Sequence, residues 1–273
     1  MKYDLKGTSF IYSCRIDTKQ RADNFKAIYN FYKKHCTNYF NFFIEDSGVI
    51  ELPNLVKFDT FDTYIFKKNS DMYRRCEAFN KGLLLSTSSE IVGFCDIDVI
   101  IDPENILKTI EHLSENKNSG LMYPYNGLFL CINESIKKNF SDTLDYNTLD
   151  TYFPLNTSIN YFDGNVLVGH NNSVGGCVFG RRDNILKCKG YNSNFIGWGY
   201  EDNELPNRVH KLGYDVTRLN ESKACLWHLP HDGPNSSPKA ENPYYENNRK
   251  LSNFMDTAKK DDIIEYIKTW NLV

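Results

Sequence analysis

A chain of 273 residues with 41% apolar and 25% charged side chains and a formal charge of −3 has the makeup of a soluble globular protein with a sizeable core. That balance excludes a dedicated nucleic-acid binder, which needs a basic excess to neutralise phosphates. Charges interrupt every apolar run before it reaches bilayer-spanning length, so no transmembrane segment is expected.

The opening MKYDLKGTSFIYSCR lacks the layout of a secretory leader. Eight cysteines are scattered without CxxC spacing and read as reduced, mostly buried thiols of a cytoplasmic protein. Thr8 to Cys14, a β-branched and aromatic run, predicts a buried first strand. Apolar residues at helical spacing (Ala22, Phe25, Ile28, Tyr29, Tyr32) predict a helix over 21–31, and Tyr39 to Ile44 a second strand. Tyr73 to Leu85 reads as a helix and Ile91 to Cys95 as a strand ending at Asp96-Ile97-Asp98. Asp102-Pro103-Glu104 marks a helix start, with an Asp cap and Pro at the first helical position. Alternating strands and helices give an α/β fold with a mostly parallel central sheet flanked by helices. In such sheets ligands bind outside the carboxyl ends of the strands, where Asp96 and Asp98 lie.

The second half is less regular. Residues 140–170, polar and aromatic, are expected to form an irregular insertion, and residues 229–243, with four prolines, a loop acting as a lid. Residues 261–270 predict a short amphipathic helix. No linker interrupts the chain, so it is read as one domain over 1–273. Its expected parts are a first half (1–102), a second half (103–240) and a helical tail (241–273).

Three constellations carry chemistry. On an extended segment Asp96 and Asp98 point the same way and present hard oxygen ligands to a divalent cation, although an aspartate pair also serves as an ordinary turn. GWGYEDNEL at 197–205 places glycines around Trp198, whose indole face suits a sugar ring. The acidic residues there also suit a helix N-terminus, and a carboxylate beside the indole can accept a hydroxyl proton. At an ordinary carboxyl pKa of about 4 that group is ionised at neutral pH, so no tuning is expected. Trp227-His228-Leu229-Pro230-His231 supplies two imidazoles for a metal or a phosphate.

In this order, the constellations resemble the GT-A glycosyltransferases, in particular the animal β-galactosyltransferases, the polypeptide N-acetylgalactosaminyltransferases and bacterial chondroitin-type polymerases. The similarity runs, with gaps, over roughly residues 8–235. It rests on GWGYEDNEL, on Val174-Gly175-Gly176 and Gly190-Tyr191 before it, on Asn207-Arg208 and Gly213 after it, and on YRRCEAFNKG at 73–82. The resemblance implies a GT-A fold with a nucleotide-sugar-binding half (1–102), an acceptor and catalytic half (103–240) and a smaller acceptor-side region. It implies a Mn2+ or Mg2+ site of Asp96, Asp98 and His228, in which Asp98 is the direct ligand, Asp96 faces the donor ribose or a metal-bound water, and His231 is the other candidate for the histidine. It implies that Ser13, Cys14, Arg15 and Asp46 face the nucleotide and that Arg75 lies near the diphosphate. Asn80 would support the Asp96–Asp98 strand, and Gly175 and Gly176 would line the donor site. Trp198 would stack on sugar, Glu201 would bind hydroxyls and Asp202 would be the base of an inverting transfer.

The expected donor is a UDP-sugar, and the acceptor a glycan, glycolipid or glycoprotein, with peripheral membrane association where the acceptor is lipid-linked. Ser173, where galactosyl-specific relatives carry a bulky tyrosine, leaves room for an N-acetylhexosamine. A retaining transferase and an inactive nucleotide-sugar-binding protein are the alternatives. A dinucleotide oxidoreductase is excluded because Ser13 to Asp17 holds no glycine fingerprint. A glycoside hydrolase would need neither the aspartate pair nor the histidine.

Overall fold

The computed structural model describes residues 2–46, 48–67, 72–231 and 242–272. Strand β1 (Tyr3–Cys14) is buried along its second half, as a strand covered on both faces must be. Helix α1 (Lys19–His35) follows, capped by Thr18, whose hydroxyl accepts from the Arg21 N–H at 3.2 Å. Next come β2 (Cys36–Asp46), β3 (Asp62–Lys67), α2 (Arg75–Leu85) and β4 (Ile91–Cys95). The short strand β5 (Val99–Ile100) leads to α3 (Pro103–Glu115), where the Asp102 carboxylate accepts from the Glu104 N–H at 2.9 Å, as the sequence led us to expect.

The remaining strands are β6 (Ser119–Tyr123), β7 (Phe129–Ile132), β8 (Val166–His170), β9 (Cys177–Arg181), β10 (Asp215–Arg218) and β11 (Leu226–His228). The remaining helices are α4 (Glu134–Thr143), α5 (Tyr146–Asp150), α6 (Arg182–Lys187), α7 (Glu201–Lys211), α8 (Tyr245–Thr257) and α9 (Lys260–Ile267). A seven-stranded sheet has the order β10-β6-β9-β4-β1-β2-β3, in which β9 alone runs against its neighbours. A second, four-stranded sheet has the order β5-β11-β7-β8.

This topology builds one working edge. The carboxyl ends of β1, β2 and β4 open on the same side, and because β9 is antiparallel, its amino end joins them: Cys95 pairs with Cys177, leaving Gly175 and Gly176 beside Asp96. The second sheet adds β11, in which His228 pairs with Val99, next in chain to Asp98.

Several expectations change. Residues 140–170 are not wholly irregular: they include the end of α4, all of α5 and β8, the last an edge of the second sheet. Strand β3 and helix α8 carried no signal we read. The tail helix is found, as α9. Of the lid segment, residues 232–241 lie outside the described residues. All eight cysteines are free and seven of them buried, with Cys131 partly exposed.

Candidate active site

The aspartate pair does not lie on an extended strand. Residues 97 and 98 form a turn between β4 and β5, and the two carboxylates serve different clusters. The turn is held by its backbone: the Asp96 N–H donates to the Gly176 carbonyl at 2.8 Å, and the Asp98 carbonyl accepts from the Leu229 N–H at 2.8 Å.

Asp98 meets the two histidines. Its Oδ2 lies 3.0 Å from His231 Nε2 and 3.9 Å from His228 Nε2, and a ligand atom from each of the three side chains fits within 4.8 Å of the others. Burial alone would raise the Asp98 carboxyl, but the His231 hydrogen bond and the electrostatic attraction of His228, His231 and Arg21 hold it down at about 2. Burial lowers His228, and so favours the neutral imidazole that a metal requires. One carboxylate oxygen and two imidazole nitrogens suit a first-row transition ion such as Mn2+ better than Mg2+, which prefers oxygen throughout. These three residues therefore fit the cation that the sequence led us to expect, with His231 joining His228 and Asp96 standing outside the trio.

Asp96 turns instead to Arg75. That guanidinium, 11% exposed, spans three carboxylates: Asp96 at 2.8 Å, Glu201 at 2.9 Å and Asp202 at 2.7 Å. Arg75 reaches them from the first turn of α2, with its guanidinium 4.8 Å above the Phe79 ring. Three negative charges against one positive leave the cluster short of cations, and the carboxyls respond. Burial, Glu201 and Asp96 push Asp202 up, Arg75 pulls it back, and the carboxyl rests at about 7. This runs against the expectation of an untuned base, because Asp202, only partly exposed, sits beside other acids. Asp96 is raised by burial in the same way.

The Gly-Trp-Gly segment is shaped by glycine backbone and by Glu201. Gly197 has φ +68°, and a Cβ there would stand 2.8 Å from the Asn242 side chain, which itself bonds the Ile196 and Trp198 carbonyls. Glu201 is buried, one oxygen on Arg75 and the other accepting from the Gly199 N–H at 2.9 Å, so it fixes the turn. Trp198 is left 57% exposed, free to meet a ligand. Gly175 approaches from the β9 side, where a Cβ would lie 2.9 Å from Asp202 Oδ2. Gly176 is packed against Leu226 and acts through its backbone carbonyl.

Farther along the edge, Ser13 Oγ bonds the Tyr73 hydroxyl at 2.6 Å and Cys14 is fully buried. Arg15 lies 3.9 Å from Asp17, which also holds Arg21 at 3.3 Å. Asp46, at the end of β2, accepts from the Arg74 N–H at 2.7 Å. Asn80 departs from its expected place. It is fully buried, donating to the Tyr191 carbonyl and accepting from the Tyr191 N–H at 2.8 Å each, so it clasps the Gly190-Tyr191 turn and offers nothing to a ligand. The reading along the chain missed Tyr73 and Arg21. Arg21, four residues past Asp17 on α1, was open to detection from that spacing.

Helix α7 is braced from behind. Arg208 is fully buried, bonds Glu204 at 2.6 Å and donates to the carbonyls of Cys188 and Gly190, with Trp270 stacked 5.1 Å away. Lys211 donates to the carbonyls of Met255, Asp256 and Ala258, tying α7 to α8.

Comparison with known proteins agrees with this architecture. A family model described as the N-terminal domain of galactosyltransferase matches residues 163–232. The β-1,4-galactosyltransferase 6 proteins of rat, human and mouse are 41% identical over 49 residues, a stretch amounting to 18% of this chain and only 13% of theirs. Among solved structures, S. aureus TarS 1–349, in complex with UDP-GlcNAc, superposes with a TM-score of 0.61 at 12% identity, covering 96% of this chain and 71% of that one. The mannosyltransferase PcManGT of Pyrobaculum calidifontis, in complex with GDP-Man and Mn2+, gives 0.50 at 11% identity, covering 96% and 72%. With a largely parallel main sheet and a small second sheet, the chain has the fold of the GT-A glycosyltransferases, and its segment 163–232 is similar to galactosyltransferases.

Proposed function

We propose that the chain is a metal-dependent glycosyltransferase that moves a hexose or N-acetylhexosamine from a UDP-sugar to a hydroxyl of a glycan, glycolipid or glycoprotein, with inversion. One observation carries this reading: Asp202, held at 2.7 Å by Arg75, follows four residues after the exposed indole of Trp198 and shares a sheet edge with Asp98, His228 and His231. The UDP-GlcNAc bound by TarS and the GDP-Man and Mn2+ bound by PcManGT support a nucleotide-sugar donor and a metal. Ser173, small and at the Gly175 turn, leaves room for an N-acetyl group.

Asp98, His228 and His231 would hold the cation, which when bound supplies Lewis-acid stabilisation of the leaving diphosphate. The protein's own groups do the rest. Asp202 takes the acceptor proton as the acceptor oxygen bonds to the anomeric carbon and the bond to the diphosphate breaks. A base near 7 is half ionised at neutral pH, close to the optimum for proton transfer there. Glu201 holds the Gly-Trp-Gly turn, and Trp198 orients the sugar by stacking.

The test is a screen of nucleotide sugars with Mn2+, read as donor hydrolysis and transfer, on the wild type and on Asp202→Asn. We expect uridine donors to dominate, and the variant to lose transfer while keeping nucleotide affinity. A variant that loses binding as severely as turnover rules out the base role. Metal-dependent nucleotide binding without turnover on any acceptor identifies a binding protein instead.

A further inference from the structure

The two histidines of the trio lie on either side of Leu229-Pro230, a dipeptide outside any regular element. Three elements satisfy its backbone. The Leu229 N–H donates to the Asp98 carbonyl at 2.8 Å, and Pro230 has no N–H to place. The two remaining groups are the carbonyls of Leu229 and Pro230. Asn24 on α1 donates its Nδ2 to both, at 3.3 Å and 3.2 Å. Lys137 on α4 donates its Nζ to the Pro230 carbonyl at 3.1 Å.

These two donors sit where a sequence seldom spends them. Asn24 is 0% exposed and Lys137 only 7%. Among the described residues, the carboxylate paired with the Lys137 ammonium is Glu134 at 3.6 Å, itself 61% exposed. Burying most of a lysine side chain is costly unless its ammonium is paired and hydrogen-bonded. An apolar residue in α4 would fill the same space, yet it would leave the Pro230 carbonyl with Asn24 alone. The carbonyl so held is bonded directly to the nitrogen of His231, and the Leu229 carbonyl lies one residue beyond His228.

We propose that Asn24 and Lys137 are positioning residues for the metal site: a clamp from two helices that fixes the 229–230 backbone, and with it the separation of His228 and His231. The inference rests on the metal reading given above. Neither residue touches the ion. Their effect is indirect, because ligand geometry in such a site is set by the groups behind the ligands, and loss of one of those groups typically weakens metal binding about 10–100-fold.

The experiment compares the wild type with Asn24→Leu and Lys137→Met, near-isosteric changes that remove the donors. Lys138→Met serves as control, since Lys138 is exposed and pairs with Asp142 at 2.7 Å. Mn2+ affinity is measured by calorimetry without donor or acceptor, and the visible absorption of the Co2+-loaded proteins reports ligand geometry. Thermal melts establish which variants are folded. Each folded clamp variant should bind Mn2+ about 10–100-fold more weakly and show shifted Co2+ bands, with the control unchanged. The substitutions lie on different helices, so a folding failure in one leaves the other decisive. Folded variants with wild-type Mn2+ affinity and an unaltered Co2+ spectrum would overturn the clamp alone. A wild type without Mn2+ affinity would sink the metal centre and the clamp together.

Discussion

Replacing Arg75 by Met removes the cation from the acidic cluster and keeps most of its volume. In the structure burial raises the Asp202 carboxyl, and Arg75, 2.7 Å away, draws it back to about 7. A guanidinium in direct contact typically lowers a carboxyl by about 1–3 units, and here it is shared with Glu201 and Asp96. Without it the Asp202 pKa should rise by roughly that amount. At pH 7 the ionised fraction then falls from about one half to between about 9% and about 0.1%, a loss of roughly 5- to 500-fold in transfer. The assay is kcat/KM for acceptor against pH at saturating donor. The acidic limb should move to higher pH by about 1–3 units, with the rate recovering on the alkaline side. A limb that stays where it was, or a loss uniform across pH, would refute the reasoning and leave Arg75 acting on the donor.

Three further outcomes are expected. Asp98→Asn should abolish Mn2+ binding measured by calorimetry, while Asp96→Asn, which removes a partner of Arg75 and no member of the trio, should weaken it far less. Gly175→Ala would set a methyl 2.9 Å from Asp202 Oδ2, and displacing the base should lower kcat by about 10–100-fold with nucleotide affinity retained in a binding titration. Asp202 also links stability to pH: its carboxyl is raised from an ordinary 3.8 to about 7, so the unfolded chain ionises first and stability declines as pH climbs between those values. Asp202→Asn lacks this dependence, and urea unfolding should show it stabilised over the wild type more at pH 8 than at pH 5.

Local signals along the chain identified the parts that depend on near neighbours. The β1 run, the Asp102-Pro103 start of α3 and the strand Ile91 to Cys95 are set by hydrophobic period and capping, which act within a few residues. The glycine-flanked tryptophan and the acids after it were legible for the same reason: φ +68° at Gly197 and the start of α7 are local demands. Asn80 was expected to support the Asp96–Asp98 strand and clasps Tyr191 instead, because its motif position carries no information on its partners in space.

Other features arise between residues far apart, and no window contains them. Strand β3, at the sheet margin, has no fully buried residue to betray it, and the 140–170 region becomes ordered because β8 finds β7. Asp96 and Asp98 are two apart in the chain, yet the turn between β4 and β5 sends one to Arg75 and the other to His231. The pKa of Asp202 depends on partial burial and on Arg75, more than a hundred positions away. Sequence by itself determined which chemical groups the protein carries and the α/β alternation that lines them up along one edge, because period and backbone preference are properties of short segments. Only the tertiary structure decided which carboxylates share a cation, which histidines join Asp98 and how far Asp202 is tuned, because charge interactions and desolvation depend on distance in space and not along the chain.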